Sequence, residues 1–93
     1  MDYEYSAIFI KDIKSFGRDK EFAQQLKGKI KEIEIANSIE DIAGLEEIRG
    51  RKVYYRFKIK THQTTYRIGI KVLHNIIWLT LIDNAKKRFY KRI

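Results

Sequence analysis

From Val53 to Lys60 the chain alternates strictly. Val53, Tyr55, Phe57 and Ile59 fall on one side, and Tyr54, Arg56, Lys58 and Lys60 on the other. A period of two sends successive side chains to opposite faces of a strand, so this pattern predicts a strand that is apolar beneath and basic above. Tyr66, Ile68, Ile70 and Val72 repeat the arrangement against Arg67, Gly69 and Lys71. The polar break at Thr61–Thr64 between the two runs reads as a hairpin loop of about four residues. His74 and Asn75 mark another tight turn. Ile76 to Ile82 is apolar at nearly every position, as a covered or central strand is, and places Trp78 in the core.

The first half of the chain has the period of a helix. After a short strand at Tyr3–Tyr5, Ser6 stands as an N-cap for a segment with Phe9, Ile13 and Phe16 on one face, ended by Gly17. Asp19 caps a second segment, in which Phe22, Leu26, Ile30 and Ile33 recur at spacings of four, four and three, with Lys27, Lys31 and Glu34 pointing away. These predict an antiparallel helical hairpin closed by Asn37 and Ser38. Ile39, Ile42 and Leu45 then dock a turn on the core. Lys86 to Ile93 predicts a short, very basic helix or tail. The fold class expected is α+β: an N-terminal strand and helical hairpin packed on one face of a twisted, mostly antiparallel four-stranded sheet, as one domain over residues 1–93.

Composition narrows the function. The chain has 93 residues, 44% hydrophobic and 34% charged, which suits one modest globular core. It has no cysteine, so no disulfide framework. No apolar run approaches the ~20 residues of a membrane helix and no signal peptide precedes the charged start, so a cytoplasmic location without membrane contact is expected. His62 and His74 have no partners at ligand spacing, and no metal or cofactor is expected. Charge is the strong signal. Thirteen of the twenty Lys and Arg residues lie from Arg49 onward, where Asp83 is the only acid; that half carries +12 and the first 48 residues −4.

Both alternating strands must turn their apolar faces toward the helices. Arg56, Lys58, Lys60, Arg67 and Lys71 then share the opposite face at neighbouring cross-strand positions, where like charges repel unless an anion lies between them. This predicts an anion-binding surface, and polyphosphate chains are the commonest such partner. Lys86, Lys87, Arg88, Lys91 and Arg92 add general phosphate contacts at the C-terminus.

Five short strings, in order, carry a family resemblance: Phe9-Ile10-Lys11-Asp12-Ile13-Lys14, Ile48-Arg49-Gly50, Tyr55-Arg56-Phe57-Lys58-Ile59, Tyr66-Arg67-Ile68, and Lys86-Lys87 with Tyr90. Together, over about residues 6 to 92, they resemble the RelE/ParE toxin superfamily, RelE-type branch. The resemblance implies the toxin of a bacterial type II toxin–antitoxin pair, a ribosome-dependent mRNA endonuclease that cuts the message in the A site of the 70S ribosome. The ribose 2′-hydroxyl would attack the adjacent phosphate without a metal, and a cognate acidic antitoxin would hold the protein silent.

The resemblance also implies roles for particular residues. Arg56 and Lys58 match the two cations of the first basic strand. Arg56 suits phosphate clamping, because a guanidinium does not give up its proton. Lys58 is a candidate general base, with Glu46 or Glu47 the alternatives. Arg67 matches the arginine expected to stabilise the pentacoordinate phosphate. Tyr90 matches the tyrosine that stacks on a message base, with a core-docking aromatic as the plain alternative. Ala85-Lys86 stands where the family pattern has His-Arg, so a terminal histidine is not available for proton transfer. A ParE-like inhibitor of DNA gyrase, or an inactive RNA-binding homologue, would share the same fold.

Overall fold

Both expected helix caps form. In the computed structural model, which describes residues 1–93, the Ser6 hydroxyl accepts from the Phe9 N–H at 3.0 Å and the Asp19 carboxylate accepts from the Phe22 N–H at 3.1 Å. They start α1 (Ala7–Phe16) and α2 (Lys20–Ile35), which follow the short strand β1 (Asp2–Tyr5). Gly17 ends α1, but not through left-handed backbone freedom, since its φ is −68°. Instead its Cα lies against the preceding turn, where an added Cβ would meet the Ile13 carbonyl oxygen at 2.5 Å.

The remaining strands are β2 (Glu46–Glu47), β3 (Tyr54–Lys60), β4 (Thr65–Leu73) and β5 (Ile76–Asp83), with α3 (Lys86–Arg92) last. They form one sheet in the order β1-β5-β4-β3-β2, antiparallel except where β1 runs beside β5. The sheet therefore has five strands rather than the expected four. Its extra member, β2, is two glutamates long and carries no apolar alternation to reveal it. Short, charged edge strands of this kind discourage pairing with other chains.

The apolar faces turn together as expected. Phe9 of α1 and Phe22, Leu26 and Ile33 of α2 are buried with Phe57, Ile59, Ile68, Ile70, Ile77 and Leu79 of the sheet. Each such fully buried side chain stabilises the fold by about 1.5–3 kcal/mol. At the hairpin end of the sheet, the Tyr66 hydroxyl donates to the Asp19 carboxylate at 2.9 Å, tying β4 to the cap of α2. Burial first, and then the Asp19 carboxylate, push that phenol up to about 12. No helix is long and apolar enough to cross a membrane.

Two expectations about side chains fail. Trp78 is 36% exposed on the far side of the sheet, directly opposite Lys71, because the helices cover only the other face of β5. The apolar run in β5 has a different cause. A register shift opposite Gly69/Ile70 leaves Thr80 between Leu79, paired with Ile70, and Leu81, paired with Gly69, so Leu81 faces the outer side and packs under α3. Val53 does not extend the apolar stripe of β3; it is 41% exposed, in a turn, with φ +62°.

A β-branched residue in that region is strained by about 1–3 kcal/mol, whereas Asn tolerates it. Val53→Asn is therefore expected to raise stability by about 0.5–1 kcal/mol, read as a higher urea midpoint with an unchanged slope.

Candidate nucleic-acid interface

The register of β3 and β4 sets the site. Lys58 is opposite Arg67, Arg56 opposite Gly69, and Tyr54 opposite Lys71, all on the face away from α1 and α2. Lys58 is exposed and makes no ion pair. Arg67 is partly buried, and its Nε–H lies out of solvent with no hydrogen-bond partner. An unsatisfied buried donor costs about 1–3 kcal/mol, more when charged, so Arg67 is primed for an acceptor that the protein does not supply. Arg56 is already engaged: Nη2 pairs with Glu46 Oε2 at 2.8 Å, and Nε donates to the Tyr90 hydroxyl at 2.8 Å.

Helix α3 lies on this outer face and delivers Tyr90 to it. Phe89, fully buried, clusters with Ile48 and Leu81, with Tyr54 and Ile93 packed alongside. The seat is Gly69: a Cβ there would stand 3.5 Å from both Phe89 and Ile93 and 2.8 Å from Thr80 Oγ1. Residues four apart share one side of a helix, so Lys86 and Tyr90 form one stripe and Arg88 and Arg92 another, roughly opposite. The second stripe is pinned by acids. Arg88 pairs with Asp83 at 2.7 Å, and Arg92 reaches Asp83 at 2.9 Å and Asp12 of α1 at 2.8 Å. Asp12 also accepts from the Ile82 N–H.

Asp83 is the residue opposite Arg67 on β5, yet its oxygens accept from Arg88, Arg92 and the Ala85 N–H. That commitment leaves Arg67 free. Burial alone would raise the Asp83 carboxyl, but the Arg88 and Arg92 guanidinia and the Ala85 N–H outweigh it and hold it at about 2.

Of the cations expected as phosphate contacts, Lys86, Lys87 and Lys91 are exposed and free of ion pairs, whereas Arg88 and Arg92 hold α3 in place. Lys60 sits at the hairpin end of β3. Lys71 lies on the other side of Phe89, its Nζ 5.4 Å from the centre of the Tyr54 ring. Tyr90 is 40% exposed; the core-docking aromatic of α3 is its neighbour Phe89.

The face also gains acids that strand alternation could not show. Glu46 is opposite Arg56 and joins it, while Glu47 is opposite Tyr55 and so turns to the helix-covered side, near Ile39, Ile42 and Leu45. Register thus removes Glu47 from the candidate bases and keeps Glu46 beside Lys58. His62 stays in the hairpin loop, its N–H bonded to Glu21. Asp12, Gly69 and Phe89 were not singled out in the sequence. A lone acid among apolar helix positions and a glycine inside a strand were the only signals.

The outer face thus carries an unsatisfied Arg67, an unpaired Lys58 and a short cationic helix on the open side of a small α+β sheet. Among solved structures the chain is similar to the RelB–RelE antitoxin–toxin complex from Methanococcus jannaschii, at 25% identity and a TM-score of 0.76, covering 96% of each chain. It thus has the fold of a RelE-type toxin, as its five strings implied. No protein-family model matches the chain, and no curated protein matches it in sequence.

Because its folded-state carboxyl lies below the ordinary 3.8, Asp83 stabilises the protein above pH 3.8 and loses that contribution as pH falls through about 2. The shift corresponds to about 2 kcal/mol. Asp83→Asn is expected to destabilise by about 2–3 kcal/mol at pH 7, and the gap to wild type should close on acidification. Urea unfolding at both ends of that range measures it.

Proposed function

We propose that this chain is the toxin of a type II toxin–antitoxin pair and that it cleaves mRNA on the ribosome. The observation that carries the reading is Arg67: a guanidinium with an unsatisfied, solvent-excluded N–H, opposite an unpaired lysine on an open sheet face. RNA brings its own nucleophile, so such a site needs only to position the strand, stabilise charge and move protons.

In this mechanism the 2′-hydroxyl loses its proton and attacks the adjacent phosphorus. The bond from phosphorus to the 5′-oxygen breaks, and that oxygen takes up a proton. Arg67 stabilises the charge that grows on the phosphorane oxygens. Lys58, across the strands from it, is the proton acceptor in its neutral amine form, whereas Glu46 is held in an ion pair with Arg56 at 2.8 Å. Arg56 braces Tyr90; the phenol accepts from Arg56 and keeps its own O–H free for the leaving oxygen or a flanking phosphate. Lys60, Lys86, Lys87 and Lys91 hold the strand by its phosphates.

The partner follows from the same likeness. The neighbouring structure is a complex of toxin with antitoxin, and this chain has an open apolar groove of about 360 Å³ lined by Tyr5, Ile13, Phe22, Leu26 and Ile30, suited to an amphipathic segment of an acidic antitoxin.

Primer extension on programmed ribosomes tests the activity. Wild type should cut in the A site. Arg67→Ala should cut about 10²–10³-fold more slowly. Lys58→Met should lose about 10²–10⁴-fold and Glu46→Gln less than about tenfold. Intact transcript with wild type, or full cutting by Arg67→Ala, overturns the reading; inhibited supercoiling by gyrase with the message intact replaces it with the ParE-like one. The gene is expected to adjoin a short reading frame for an acidic protein; co-expression of the two should yield a tight 1:1 complex and relieve growth arrest, and two proteins that elute separately would remove the antitoxin.

A further inference from the structure

Past α3 from Arg67, the outer face carries side chains that this mechanism does not use. Four strands contribute one residue each to a single row: Glu4 is opposite Trp78, Trp78 opposite Lys71, and Lys71 opposite Tyr54. The Tyr54 ring is flanked by two cations, Lys71 Nζ at 5.4 Å and Arg51 Cζ at 4.9 Å from its centre. Trp78 differs. It is 36% exposed on a strand whose other members are buried or half-buried, and no ring or cation of the protein stacks on it.

We propose that this row is a second contact for the message, a stacking platform on which Trp78 takes a base while Lys71 and Arg51 take the adjoining phosphates. The inference rests on the reading of the sheet face as RNA-directed and extends it to nucleotides flanking the cut. Lys71 is four residues along β4 from Arg67, about 13 Å, on the far side of Phe89, so a strand that passes α3 to reach it extends beyond the scissile linkage. A bare indole beside Lys71, with a phenol ring flanked by two cations next in the row, is the combination that single-stranded nucleic acid uses, one surface for a π-face and one for the backbone.

The alternative occupant, an apolar protein segment, fits less well. The aromatic surface of the row is one exposed indole and one half-buried phenol ring, set among two cations and a carboxylate, whereas docking faces are broad and contiguous. Glu4 fixes the extent of the path. Its carboxylate repels phosphate at the β1 end of the row, so the strand is confined to β5, β4 and β3.

Trp78 is the chain's one tryptophan, so its emission reports on this row alone. The full-length Arg67→Ala protein, titrated with a short single-stranded RNA, should show saturable quenching. In that background Trp78→Ala should weaken binding of end-labelled RNA about tenfold by anisotropy, the loss of one stacked base. Lys71→Glu should weaken it with the indole still present and the melting temperature unchanged. Unchanged emission with RNA bound, unchanged affinity of Trp78→Ala, or quenching by an acidic peptide but not by RNA overturns the platform. Quenching without ribosomal cleavage by wild type keeps the platform and removes the nuclease; cleavage with a silent Trp78 does the reverse.

Discussion

The docking of α3 on the bare side of the sheet is the constraint on which the rest depends. A seven-residue helix with six charged or polar side chains has little reason to form alone. It is held by one aromatic, Phe89, seated over Gly69, and by two arginines that converge on the buried Asp83. The same docking covers Leu81 and places Tyr90 on Arg56. The network also reaches Asp12 of α1 through Arg92, so the helical layer and the outer helix are joined around the edge of the sheet.

This arrangement sorts the cations into two kinds. Arg88, Arg92 and Arg56 have carboxylates and are part of the frame. Arg67, Lys58 and Lys60 have none, although Asp83 is the cross-strand neighbour of Arg67. The acids nearest the site are thus used up by the frame, and no carboxylate of the chain relieves the repulsion between Lys58 and Arg67. A fold optimised for stability alone would have paired them.

Much of this was legible in the chain. Strict alternation in two consecutive strands identified the faces, and the caps at Ser6 and Asp19 placed both helices. What failed did so for nonlocal reasons. Trp78 looked like core because its strand is apolar on both sides, but one of those sides is covered only where Phe89 reaches, over Leu81 and not over Trp78. Glu46–Glu47 showed no strand pattern because a two-residue edge has no period. Arg88 and Arg92 were indistinguishable in sequence from Lys86, Lys87 and Lys91, since which stripe of a helix meets an acid depends on how the helix is laid down.

By itself the sequence determined which residues share a strand face or a helix stripe, and hence that Arg56, Lys58 and Arg67 stand together, because period and pleat are properties of the local backbone. The tertiary structure alone decided which of those cations are free. Asp12, Asp83 and Glu46 come from three separate elements, and an ion pair is fixed by distances between elements, which no local pattern encodes.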